Sequence, residues 1–230
     1  MLIAVSSTVV SAGVPFGFEL EVLVAALSLG LALWLRPWRM LNADLLSPLL
    51  ASVVLLPGFW LLPQKLPSSV LGGSVSVQLS GAGLLTLALG WPLATLALVW
   101  VSSVVWVLGT AGLEAWLSQL VWLGLVPSTL CLALGAVLRR WLPPHVFVYI
   151  LGRGFIGTAL CMFVSGVLYE LLYHLLGGVD TGDALVARWL MAWGDAFLTG
   201  MLVAVFVAFK PEWLATWSDR RYLAKPPPEV

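Results

Sequence analysis

Four ionisable side chains stand out inside long apolar runs: Arg153 in ILGRGFIG, Glu170 and His174 in YELLYH, and Asp195 in WGDAFLTG. A charge held away from water is expensive, so each marks a candidate proton, cation or ligand site. Asp195 suits a proton or cation site. The alternative is a structural carboxyl, hydrogen-bonded to neighbouring helices or paired with Arg153. At 1.5 Å rise per residue, Arg153 lies roughly 10 Å and Asp195 roughly 20 Å from the same membrane surface. A long arginine could span part of that gap, and buried polar groups can fix helix register, so the structural reading of the pair is favoured. Glu170 and His174 are four residues apart and share a helix face. Such a pair could contribute to a divalent-metal site, but two ligands do not complete one. A surface pair is the expectation there.

A second set is polar and outward. SVSVQLSGAGLLTLALGWP, residues 74 to 92, begins with small polar residues and ends as an apolar segment, with Gln78 at the junction. Glu114 and Gln119 open a later apolar run near the same face. The three could line an outward-facing polar pocket. Gln78 can donate and accept hydrogen bonds but is a poor ligand for a soft transition metal. His145 follows Pro143-Pro144 and reads as a loop residue.

These residues are carried by a chain of 230 residues that is 61% hydrophobic and 10% charged. That composition excludes an ordinary soluble domain. Apolar runs recur along nearly the whole length, and the expectation is an all-α, polytopic integral membrane protein of about seven transmembrane helices. The expected spans are 16 to 35, 45 to 62, 77 to 90, 91 to 109, 113 to 138, 146 to 176 and 184 to 209. The third is short for a full crossing of roughly 20 residues. Residues 1 to 15 form an outer leader, 16 to 210 the membrane domain, and 211 to 230 a cytoplasmic tail. The leader lacks a basic region and its apolar stretch is broken by serines, which argues against a cleaved signal. Ala26-x-x-x-Gly30 and Ser28-x-x-x-Ala32 read as helix-packing stripes inside the molecule.

Arg36, Arg39, Arg139, Arg140, Lys210, Arg220, Arg221 and Lys225 fall on one side if the N-terminus is outside. The excess of basic residues puts that side, and the C-terminus, in the cytoplasm. Trp34, Trp38, Trp141, Trp213 and Trp217 then mark the inner interface, and Trp60 and Trp189 the outer one. Net formal charge is zero, with 11 basic and 11 acidic residues, and no basic patch suggests nucleic acid. Cys131 and Cys161 lie in apolar runs and read as small core residues. The sequence holds no P-loop, CxxC, HExxH or GxSxG, and no enzyme is expected.

The stretch VQLSGAGLLTLALGWPLATLALVW resembles the pocket segment of the cobalt/nickel substrate-binding subunits of energy-coupling-factor transporters, the CbiM/NikM type. Leu79, Gly81, Gly90 and Pro92 keep its frame, and GLEAWLSQLVWLGLVPS resembles the next helix. PPHVFVYILGRGFIGTAL and DAFLTGMLVAVFVAFKPEWLATWSDRRYL look like a proteobacterial branch usually labelled energy-coupling-factor permease. The resemblance runs from about Trp34 to Leu223.

The resemblance implies a bacterial inner-membrane component that captures a cation or small solute from outside. Separate ATPase and coupling subunits would be its partners, with membrane lipids around it. The family binds metal through the N-terminal amine, a histidine at position two and a histidine in the pocket segment. Here those histidine positions hold Leu2 and Gln78, which implies a large loss of affinity for Ni²⁺ or Co²⁺. The expectations left open are another solute or harder ion on Gln78, Glu114 and Gln119, a metal held elsewhere, or a vestigial pocket. In the last case the chain would be a non-catalytic structural subunit of a larger membrane complex. No resident cofactor is expected; a metal ion would be cargo.

Overall fold

The computed structural model describes residues 15–39, 41–65, 78–176, 184–218 and 222. The leader, the polar stretch 66–77, the loop 177–183 and most of the tail lie outside the described residues. Every regular element described is helical. We number them α1 (Pro15–Trp34), α2 (Ala43–Lys65), α3 (Ala82–Leu89), α4 (Trp91–Leu108), α5 (Leu113–Trp141), α6 (Val148–Leu175) and α7 (Ala184–Phe209).

Six of the seven are long and apolar enough to cross a membrane. The exception is α3. Its eight residues rise about 12 Å, against a hydrocarbon thickness of about 30 Å. The helical part of the third apolar stretch is therefore short and buried, and does not span by itself. The outer surface is lined with large apolar side chains, among them Leu27, Val54, Leu55, Val107 and Met201. Such a surface is stable only against lipid. The chain is a multi-pass, all-helical membrane protein.

Burial orders the bundle. Only 11% of the α1 span is buried, against 56% of α4. α4 is central, and α3 is almost wholly enclosed beside it. α6 and α7 pack along one another, and α2 lies against α4. Ala26 and Gly30 face outward, and the space in front of Gly30 is open, so that stripe is not the internal packing face expected of it. Trp34, Trp38, Trp141 and Trp189 are exposed, as interfacial anchors should be. Trp60 is fully buried and belongs to the core instead of an interfacial belt.

Two helices carry wide turns. α5 changes to π geometry over Leu120–Leu125, and α6 begins in it over Val148–Ile156. In α5 the cause is visible. Pro127 has no N–H to offer the carbonyl four residues back, Leu123, or five back, Trp122. Both carbonyls recruit side chains from elsewhere. Ser80 Oγ donates to Leu123 O, and Ser165 Oγ donates to Trp122 O at 2.8 Å. A local proline defect thus fastens α5 to α6 and to the segment before α3.

Candidate functional site: a broken helix held at both ends

Residues 78–81 are not helical although they enter the bundle interior. Irregular backbone at membrane depth survives only where its polar groups are satisfied by protein or water. Here protein supplies every contact found. Gly81 takes a left-handed conformation (φ 68°) and turns the chain into α3, and Gly90 (φ 77°) turns it out again into α4. A side chain at either position would be strained.

Asp195, from the middle of α7, closes the entry. It is 1% exposed. Ser80 N–H donates to both carboxyl oxygens, at 3.0 and 2.9 Å, and Gly81 N–H donates to Oδ1 at 3.1 Å. Ser80 Oγ accepts from Ala82 N–H at 3.0 Å. The carboxyl therefore sits at the N-terminus of α3, where free amides and the helix dipole favour an anion. Of the two structural alternatives, hydrogen bonding to neighbouring segments or pairing with Arg153, the contacts seen are hydrogen bonds to main chain, and no ion pair joins Asp195 to Arg153 among the described residues.

The same segment is tied to α2. Trp60 Nε1 donates to Ser80 O at 3.1 Å, and Gln78 Nε2 donates to Trp60 O at 3.1 Å. The Gln78 amide is half-buried and works as a clamp between α2 and the chain entering α3. Glu114 is exposed in the first turn of α5, and Gln119 is half-buried further along it. No hydrogen bond or ion pair among the described residues joins Gln78, Glu114 and Gln119.

The far end of α3 is held by the chain beyond α7. Ala215 N–H donates to Ala88 O at 2.8 Å, Thr216 N–H to Leu87 O at 3.3 Å, and Thr216 Oγ1 to Leu87 O at 2.9 Å. Tyr149 hydroxyl shares a 2.7 Å hydrogen bond with Thr216 Oγ1, and its ring packs against Trp217 and Tyr222. Leu214 and Tyr222 join the core. Residues 211–218 are thus part of the membrane domain's packing.

Glu170 forms an ion pair with Arg188 at 3.1 Å, and the Arg188 guanidinium lies over the Tyr169 ring at 4.7 Å. His174 is exposed and takes no part. No group of three or more His, Cys, Asp or Glu side chains among the described residues could hold a metal.

Sequence reasoning passed over Glu21. It is 9% exposed in α1 and accepts from Trp122 Nε1 at 2.8 Å, beside the π turn of α5, with Ser118 and Glu114 also acting on it. Its signal was available: a carboxylate a turn and a half into an apolar helix.

Arg153 is 6% exposed, and its Nε and Nη1 have no hydrogen-bond partner. Gly135 makes its room, since a Cβ there would lie 2.5 Å from Arg153 Nη2.

These features define a class: a helical multi-pass membrane protein with a short buried helix, entered and left by glycine turns, among its spans. The chain matches no protein-family model, no curated protein and no solved structure.

Proposed function

We propose that the chain is the substrate-capturing membrane component of an energy-coupled uptake system, with its binding position around Gln78–Gly81. One observation carries this reading: a short helix buried in the bundle, with the amides at its N-terminal end gathered on a carboxyl from another span. Helix N-termini exposed inside a bundle form substrate and ion sites in transporters because their free main-chain groups can exchange an internal partner for a ligand. The resemblance to the cobalt/nickel energy-coupling-factor subunits falls on the same stretch. With glutamine at position 78 the solute would be one that oxygen and amide groups recognise. ATPase and coupling subunits would supply the energy, in a bacterial inner membrane, with seven membrane segments counting α3, N-terminus outside and C-terminus inside.

A second reading is a non-catalytic structural subunit of a larger membrane complex. The observation favouring it is that Gln78, Ser80 and Asp195 are all bonded within the chain. Purification of the tagged protein from its native membrane in mild detergent, followed by mass spectrometry, separates the two. Co-purifying ATPase and coupling subunits support transport. A different membrane enzyme in their place refutes it.

A further inference from the structure

Cys131 and Cys161 are the only cysteines of the chain, and they sit on neighbouring helices. α5 and α6 follow one another through a short connection, and close contacts set their antiparallel register. A Cβ at Gly152 of α6 would lie 3.9 Å from Leu138 Cδ1 of α5. Higher up, a Cβ at Gly157 would lie 3.0 Å from Leu134 Cδ2. With no side chain at Gly157 the two helices approach closely there. One further turn is three residues back along α5 and four forward along α6, which reaches Cys131 and Cys161. The two thiols face one another as side-chain hydrogen-bonding partners. Cys161 is buried and Cys131 half-buried, and both stand near the middle of their spans.

The same face of α5 meets an unmatched charge. Arg153 packs its guanidinium on Gly135, where a Cβ would lie 2.5 Å from Nη2, and Gly135 is one turn from Cys131. Arg153 Nε and Nη1 have no hydrogen-bond partner, and no ion pair reaches the side chain among the described residues. The Tyr149 ring, 5.4 Å from the guanidinium carbon, gives a cation–π contact but no negative charge. A charge buried in this way is costly, and an anion nearby offsets part of the cost. Arg153 already acts electrostatically on Cys131. So does Asp195, but its own charge is met by the Ser80 and Gly81 amides.

We propose that Cys131 and Cys161 together bind one soft monovalent metal cation, copper(I), and that Arg153 balances the charge of the loaded site. Thiolate sulfur selects such ions over hard ones. Two metal–thiolate bonds of about 2.3 Å in line would hold the sulfurs about 4.6 Å apart, which facing thiols reach with little movement. Binding releases both thiol protons to solvent. Two thiolates around one monovalent cation leave one net negative charge, and the guanidinium cancels it. Zinc would need four ligands, and no third His, Cys, Asp or Glu side chain joins the pair among the described residues. Copper(I) is satisfied by two sulfurs in line. The site is separate from the Asp195 contacts and does not depend on the transport reading.

The test uses the full-length protein in detergent, kept anaerobic with ascorbate and titrated with copper(I) against the chromophoric chelator bathocuproine disulfonate. The expected result is one copper(I) per chain, a near-ultraviolet thiolate-to-copper absorption band, and protection of both thiols from maleimide. Cys131→Ser and Cys161→Ser should each lose the binding and the band. Arg153→Gln leaves both sulfurs in place and should weaken binding roughly 10- to 100-fold, and Arg153→Lys, which keeps the charge, should restore most of it. Thiol protection in the wild type keeps the test sound if a variant fails to fold. A wild type that takes up no copper(I), or copper(I) held equally well by both cysteine variants, would overturn the site. So would conversion of the pair to a disulfide with no metal retained. Unchanged affinity in Arg153→Gln would overturn the role given to Arg153.

Discussion

Replacing Asp195 tests the central element directly. In the native chain two main-chain donors, Ser80 N–H and Gly81 N–H, end on its carboxyl group in a site closed to solvent. Asp195→Ala leaves both without an acceptor. Each orphaned buried donor costs about 1–3 kcal/mol, so the pair costs about 2–6 kcal/mol. In a membrane or micelle the unfolded chain also finds partners, which pulls the result toward the low end, about 2 kcal/mol. Asp195→Asn keeps one oxygen but turns an N–H₂ toward an N–H, and should fall between wild type and alanine. Equilibrium unfolding in mixed micelles, by titration with sodium dodecyl sulfate, measures the differences. The expected order of stability is wild type, then asparagine, then alanine. An alanine variant within about 0.5 kcal/mol of wild type would refute the reasoning, because α3 would then be held by something other than this carboxyl.

Other perturbations test the remaining restraints. Deleting the chain after Lys210 removes the donors to Leu87 O and Ala88 O and the packing on Tyr149; thermal unfolding in detergent should show a large loss of stability, and an unchanged midpoint would show α3 to be self-sufficient. Ser80→Ala combined with Ser165→Ala strips both carbonyls freed by Pro127 and the acceptor of Ala82 N–H, and the double variant should lose at least about 2 kcal/mol by the same micelle assay. Arg188→Met breaks an ion pair whose side chains are 32% and 19% exposed, and should change stability by no more than about 1 kcal/mol. Gln78→Ala removes the clamp on Trp60 O at about 0.5–1.5 kcal/mol; uptake into vesicles carrying the full complex should be abolished if the segment captures solute, and retained uptake counts against that role.

Composition and run length alone specify a multi-pass helical membrane protein, because a bilayer leaves a chain with so few charges almost no other way to satisfy its backbone. The polar positions that matter were equally legible as exceptions: Gln78, Arg153 and Asp195 stand out because their surroundings are apolar. Their partners were not legible. The Asp195 contacts are to main-chain amides 114 and 115 residues away, and an amide has no residue type to betray it. Arginine was the obvious counter-charge by sequence, yet the fold set Arg153 against Gly135 of α5 and gave the carboxyl to α3. Trp60 looked interfacial by position along its helix and is buried because α3 folds in beside it. Whether an eight-residue apolar helix can stand inside a bundle depends on whether other spans can cap both of its ends. Only the tertiary arrangement of α2, α5, α7 and residues 214–217 provides those caps.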